Sequence, residues 1–490
     1  MKKYILLFLI YSVGCFSLNS CGDFLDEVPK GVKVPKTIGD YRAFLSYQTS
    51  TGESYHKGYI SNEFVPNPLQ LPANPWNTTH FDWITDGAPR VGEIATDFVY
   101  NTNYYGSIYR YNLLINEVPG VSTSTAAEAK EAKQIVAQAR VQRAFLYFHA
   151  VNSYAKAYNP ATADTERGIP YIATHDDFES PIPQVSVGKI YEHILADLDL
   201  AIPDLPSLDE RYDWVRPSKA SGYALRARVH LFMQNFDEAL KDADAALQLH
   251  SFIFDMTGYY QTNVLDVYGR NIQFDANSNA IYGLPQVNFK EPVRNELILF
   301  SSGQAMYGKH IAITDPVENE NMVRDITMFD AGDTRFITNF WLNTANGTYT
   351  FRRYDENTQG SIKTSEMHLI RAECYARAGD AANLQKAMTE LNTIRVKRIM
   401  PTDYLALTAT TKAEAMRLVQ RERQVELMFS DMLFYDLRRF NTEPEYAVTL
   451  KKKGTDGVIR TIAPNSEIWV LPFANDIMSK NTRLEQNTTL

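Results

Sequence analysis

Leu18-Asn19-Ser20-Cys21 is the stretch of this chain whose residue types and spacing most plainly specify a reaction. A cysteine directly after a small residue, with leucine three positions before it, has the form of a bacterial lipobox. There the sulfur is acylated and the peptide is cut just ahead of it. The residues upstream agree. Lys2 and Lys3 make a basic start, and Tyr4 to Leu18 is mostly apolar. That run is shorter than the ~20 residues a bilayer-spanning helix needs, so it reads as a secretory signal. Two alternatives stand beside this reading. One is an ordinary signal peptide with an incidental cysteine, since Asn19 is an unusual middle residue. The other is Ser12-Val13-Gly14-Cys15, which leaves a short apolar core and lacks the leucine. With residues 1–20 as signal peptide and Cys21 as the lipid-attachment residue, the mature chain is tethered by lipid and not by a span.

Little else in the chain has the spacing of catalysis. No His-Glu-x-x-His, Gly-x-Ser-x-Gly, P-loop or dinucleotide glycine pattern occurs. Carboxylates abound, and only their separation in space could make two of them a glycosidase pair. Asp275-x-Asn277-x-Asn279 opens like a calcium loop, but Ala280 replaces the turn glycine and Gln286 the bidentate glutamate. The nine histidines are scattered without zinc-ligand spacing. Once Cys15 is removed and Cys21 acylated, Cys374 alone remains, so neither a disulfide nor a thiolate cluster can form within the chain. Cys374 follows Leu369 and Ile370 in a helical pattern, which marks it as a buried thiol. The expectation is no catalytic residue, no metal and no cofactor.

Composition narrows the partners. The chain has 490 residues and a formal charge of −9, which becomes −11 without Lys2 and Lys3. A surface of that sign repels phosphate backbones and argues against nucleic acid. No later segment is long enough to cross a bilayer. Tyr and Phe together number 54, which supplies flat apolar faces with polar rims, useful in cores and against sugar rings.

The elements that must position any site are helical. Ala137, Val141, Ala144, Phe148, Val151 and Ala155 form one helical stripe. Ile190, Ile194, Leu198 and Ala201 form another, which Pro203 and Pro206 end. Two helices over about 218–233 and 236–249 meet at Gln234-Asn235. Tyr223, Ala227, Ala239 and Ala246 there take the spacing of positions 4, 8, 20 and 27 of a tetratricopeptide repeat (TPR). A looser copy spans about 364–398 with Ala372, Gly379 and Ala387. Any alanine-rich hairpin could show part of this spacing. Fewer than three repeats do not readily stand alone, so these hairpins are expected to pack on the other helices. Two long irregular stretches interrupt them, 52–92 with five prolines, Trp76, Phe81 and Trp83, and 251–360 with many Gly, Asn, Asp and Tyr. Loops that long in a compact protein are functional or disordered, and their aromatic density argues against disorder.

Taken together, these residues resemble a family. Cys21-Gly-Asp-Phe-Leu-Asp-Glu-Val-Pro29 is similar to the mature start of SusD/RagB-type outer-membrane lipoproteins. The resemblance continues in Arg143-Ala144-Phe-Leu-Tyr-Phe148, Gly168-Ile-Pro170, Ile190-Tyr191, Asp197-Leu198 and Ala224-Leu-Arg-Ala-Arg228. It ends with Arg421-Glu422-Arg423, Glu426-Leu427, Phe429, Asp436-Leu437-Arg-Arg-Phe440, Pro472 and Gln486-Asn487. Each motif is weak alone; their order over the whole mature chain is specific. The resemblance implies a mainly α fold, an α-α superhelix with TPR-like hairpins, long inserted loops and minor β elements. It implies a surface-exposed lipoprotein of the cell outer membrane that captures a nutrient oligomer, glycan first and peptide second. Its partner would be a SusC-like TonB-dependent barrel. Asp23, Asp26 and Glu27 resemble the signal that exports such lipoproteins to the cell surface. The chain departs from the family pattern at Ser430 and Leu433, where an acidic residue and an arginine usually stand three apart, as if an ion pair had been lost as a unit. Phe440 replaces the usual Trp.

On this reading the chain divides into a signal peptide at 1–20, a helical region at 21–250, a loop-rich ligand-binding insert at 251–360 and a C-terminal helical region at 361–490. The expected ligand-stacking residues are Trp76 and Trp83 in the first loop and Tyr268 and Tyr282 in the second. Trp341 and Trp469, in strand-like surroundings, are expected to be structural. Two other functions fit the same anchor: a surface glycoside hydrolase, and a TPR-type adaptor that binds only proteins.

Overall fold

The computed structural model describes residues 35–46, 55–61, 63, 80–84, 96–97, 99–174, 181–207, 216–260, 296–299, 310–312, 328–343, 348–351, 360–454 and 456–488. The expected mainly α architecture is what it shows. The early part contains α1 (Ile38–Leu45), α2 (Tyr55–Ile60), a π-helical turn at Val99–Tyr105, α3 (Gly106–Glu117) and α4 (Ala126–Tyr154). After α4 come α5 (Val187–Ala201), α6 (Lys219–Phe232), α7 (Phe236–Leu249) and α8 (Met256–Tyr260). The later part holds α9 (Thr334–Asn339), α10 (Thr364–Ala378), α11 (Ala381–Arg395), α12 (Lys412–Glu426), α13 (Met432–Phe440) and α14 (Asn475–Lys480).

The long helix α4 is the spine. Its 29 residues give a rod of roughly 43 Å at 1.5 Å per residue. Thr125 caps its start by accepting from the Glu128 backbone N–H. From Ala137 onward its side chains are buried almost all round, the expected stripe Ala137, Val141, Ala144, Phe148 and Val151 among them. A helix buried on every face must be surrounded, and α1, α3, α5 and α6 pack on it. Helix α5 ends before Pro203, as its sequence dictates.

The TPR-like hairpin is α6 followed by α7. Ala224, Ala227, Ala239, Ala243 and Ala246 are fully buried, so the two helices meet on methyl groups and approach closely. Gly222 lets α6 approach the end of α5, because a Cβ there would meet side-chain carbons of Ile202 and Leu205 at 2.8 Å. The second hairpin is α10 followed by α11. Gly379 ends α10 with φ 78°, the left-handed conformation that glycine adopts without penalty. Asp380 then caps α11 by accepting from the N–H groups of Ala382 and Asn383. Helix α10 packs on α7, α11 and α12, so the hairpins do share a core with the remaining helices. Cys374 is buried on α10, and burial raises its pKa far above the ordinary thiol range.

The β structure is minor. Antiparallel pairs are formed by β1 (Arg167–Pro170) with β2 (Gln184–Ser186), and by β3 (Leu297–Leu299) with β7 (Ile362–Lys363). A three-stranded sheet has the order β4 (His310–Ala312), β6 (Thr348–Phe351), β5 (Phe340–Asn343). The hairpin β8 (Leu450–Lys453) and β9 (Ile459–Ile462) follows α13. Among the described residues, no helix is long and apolar enough to cross a membrane.

Candidate ligand-binding site

The two loop-rich stretches are rooted in the helical body by buried polar contacts. At the root of the first, Lys57 of α2 is 1% exposed. Its Nζ lies 2.6 Å from the Asp431 carboxylate, 3.0 Å from the Tyr435 hydroxyl and 3.4 Å from the Tyr104 hydroxyl. Asp431 holds its lysine from a left-handed backbone (φ 65°), and Phe429 shares that conformation (φ 62°). Such positions are costly for residues other than glycine and persist only where neighbours fix them. Here α2 and the residues just after it do so: the Phe429 N–H donates to Oε1 of the buried Glu63 carboxyl group. Ser430 turns its hydroxyl to the Leu427 carbonyl, and Leu433 is buried. The two positions where the resemblance implies a pair of charges are thus filled by a local hydrogen bond and an apolar side chain.

Trp83 belongs to this root and not to a ligand face. It is 1% exposed, its indole N–H donates to the Tyr59 carbonyl at 3.2 Å, and the Lys452 ammonium sits 4.4 Å from the ring centroid. This corrects its expected stacking role. An aromatic residue in a proline-rich stretch looks exposed in sequence, but strand β8 returns from far along the chain to cover it. Trp83→Ala should therefore lower the melting temperature strongly, as large-to-small core changes of ~3–5 kcal/mol do, while ligand affinity per folded molecule stays unchanged. Thermal melts paired with binding titrations check both. Trp76, Tyr268 and Tyr282 lie outside the described residues, as does the Asp275–Asn279 stretch. Trp469 is 4% exposed and its indole N–H donates to the Ala463 carbonyl at 2.9 Å, a structural placement. For Trp341 the backbone is in β5.

Glu63 carries a pH prediction. Burial pushes its pKa up from 4.5 to about 8, against the lowering effect of the Phe429 N–H, and the Asp431 charge adds to the rise. The folded protein keeps this proton while an unfolded chain loses it, so stability falls as pH rises from about 4.5 to about 8. Glu63→Gln keeps an acceptor for the Phe429 N–H and removes the titration. Its melting temperature should gain on that of the native protein as pH is raised through this window. A constant difference between pH 5 and pH 9 would refute the assignment.

The second stretch is rooted by a network of buried ion pairs. Arg335 of α9 meets Asp333 at 2.7 Å, Glu422 at 2.6 Å and Glu426 at 2.9 Å. Arg398 joins Glu296 and Glu426 at 2.7 and 2.8 Å. Asp330 receives Arg395 at 2.6 Å and Arg421 at 2.8 Å. These arginines hold the carboxyls of Glu426 and Asp330 below the usual range despite burial. The network ties Glu296 and the Asp330–Arg335 segment of the second stretch to α11, α12 and their connection. None of these residues was expected as an anchor, because their partners come from segments far apart in sequence.

Two surface cavities border the helical body. One, of about 400 Å³, lies between the segment after α4, the end of α13 and residues 464–470; its wall includes Lys156, Asn159, Glu166, Arg438, Asn441 and Asn465. The other, about 460 Å³, is more apolar and lies against α4 beside Val118, Val121 and Leu200. Among the described residues there is no group of three or more metal-ligating side chains.

Two family models match the chain. Residues 23–231 match the model described as "Starch-binding associating with outer membrane", and residues 317–489 match the model described as "SusD family". The chain belongs to the SusD family. Solved members of the SusD superfamily share its fold. One from Bacteroides thetaiotaomicron is 16% identical with a TM-score of 0.63, over 92% of this chain and 99% of that one. "Surface glycan-binding protein A from Bacteroides uniformis" is 16% identical with a TM-score of 0.60, over 92% and 98%. A "Laminarin binding SusD-like protein" is 16% identical with a TM-score of 0.59, over 93% and 100%. At such identities the likeness is one of fold. No curated protein matches the chain.

Proposed function

We propose that this SusD-family protein is an outer-membrane lipoprotein, anchored through Cys21 and facing the cell exterior. There it captures a glycan oligomer and passes it to a SusC-like TonB-dependent barrel without doing covalent chemistry. The observation that carries the reading is the match of residues 23–231 to a family model of starch binding at the outer membrane. Two structural relatives named for glycan and laminarin binding support a carbohydrate ligand. The anchored roots of both loop-rich stretches support a preformed capture surface, whose remaining expected contacts are Trp76, Tyr268 and Tyr282. Hinge movement of the whole body over the barrel would then be the working step.

The lid role is tested by extraction in mild detergent. A permanent complex buries ~2,000 Å² or more, so the native protein should co-purify with a larger barrel protein. Recovery at monomer mass from intact membranes would contradict that role.

A further inference from the structure

Eight arginines are buried among the described residues. Seven face a carboxylate: Arg143 at 2.7 Å from Asp197, Arg228 at 2.6 Å from Glu366, Arg335 at 2.7 Å from Asp333, and Arg395 at 2.6 Å from Asp330. Arg398 lies 2.7 Å from Glu296, Arg423 2.9 Å from Asp436, and Arg439 2.6 Å from Glu373. Arg438 is the exception. It is 3% exposed, and its guanidinium donates only to the carbonyls of Asn152 and Ala155, where α4 ends. A helix C-terminus offers about half a negative charge, so the cation is compensated only in part. Burial without an acid partner draws its pKa down to about 10.

This same arginine borders the cavity of about 400 Å³, a volume within the ~300–1,000 Å³ of ordinary ligand sites. Around it stand amide side chains, Asn159, Asn441 and Asn465, which donate and accept in the directions that sugar hydroxyls use. Of the two acids on the wall, Glu166 is paired with Lys156 at 3.0 Å, and Glu467 is half-buried. A neutral sugar would leave the Arg438 charge as it is, whereas a carboxylate would complete it with charge-assisted hydrogen bonds. We propose that this cavity binds a carboxylate-bearing sugar unit, a uronic acid, with its carboxylate on Arg438 and its hydroxyls on the surrounding amides. The assignment rests on the glycan-capture reading and adds a second site, apart from the loop surfaces.

Titration calorimetry of the full-length chain in mild detergent tests it. The probes are sodium glucuronate and sodium galacturonate, with glucose and galactose as neutral counterparts and a short N-acetylated peptide as a non-sugar carboxylate. A hydrogen bond to a charged group supports about a ten-fold preference or more for each uronate over its neutral counterpart. Arg438→Gln should abolish that preference. Asn465→Trp, a change at an exposed position on the cavity mouth, should weaken uronate binding by at least as much while the melting temperature holds. Should Arg438→Gln not fold, Asn465→Trp decides. Equal binding of acid and neutral sugars, uronate binding unchanged by Asn465→Trp, or equal binding of the peptide carboxylate would each overturn the proposal. If a glycan panel is bound alike by the native chain and by Asn465→Trp, glycan capture stands and this site falls. If no glycan in the panel binds, the capture reading fails while the uronate titration still decides the cavity.

Discussion

Replacing Glu373 with glutamine is expected to destabilise the protein by ~3–5 kcal/mol, the range for removing one partner of a buried ion pair. Glu373 is fully buried on α10. It accepts from both terminal nitrogens of Arg439 at 2.6 and 2.7 Å and from Nε of Arg377 at 2.9 Å, and Arg423 stands 3.9 Å away. One carboxylate therefore neutralises cations from α10, α12 and α13, and without it those charges stay buried with too few counter-charges. The same contacts hold its pKa well below the ordinary 4.5, with Arg439 the largest favourable influence against burial. A depressed carboxylate stabilises the fold above its unfolded pKa and loses that contribution as pH falls further. The native protein should thus weaken as pH drops below about 4.5, and Glu373→Gln should show a flatter acid limb from a lower starting stability. A double change, Glu373→Gln with Arg439→Met, should recover part of the loss, since removing both partners leaves no orphaned charge. Denaturant unfolding of the three proteins at pH 7 and pH 4 measures every term. Equal stability of the single and double variants would refute the account of α10 as the neutralising centre.

Cys21→Ala is expected to move the protein from the membrane fraction to the soluble one, and Cys15→Ala to leave it where it is. One acyl chain binds membranes only marginally, so firm anchoring needs the several chains of a bacterial lipoprotein. No described helix is long and apolar enough to cross a bilayer. Fractionation with and without each substitution reads the outcome directly. Retention of the Cys21 variant in membranes washed free of proteins held only by other proteins would remove the lipid-anchor assignment.

Much of the helical body is legible in the sequence because its pattern is local. The stripe from Ala137 to Val151 predicts one of the buried sides of α4, and Gln234-Asn235 marks the turn between α6 and α7, where Gln234 adopts φ 62°. The buried charges are not legible. In α12 the run Arg421-Glu422-Arg423 carries no local pattern that tells buried from exposed charges, yet Glu422 and Arg423 are 3% and 1% exposed. Their partners, Arg335 and Asp436, come from other elements, and no periodicity announces a partner that distant. Trp83 fails for the same reason, since Lys452, far along the chain, sits against the ring. Arg438 and Arg439 show the limit most sharply. They are adjacent and both buried, but one meets two carboxylates and the other none among the described residues. Only the surrounding elements distinguish them.

The central claim is capture of a glycan without cleavage. Affinity electrophoresis of the native protein through gels containing neutral and acidic polysaccharides tests it most directly, with release of new reducing ends measured in parallel. The account predicts that at least one polysaccharide retards the folded protein and that none is shortened. A folded protein that migrates unchanged through every gel, or one that releases sugar products from the polysaccharide that holds it, would contradict it.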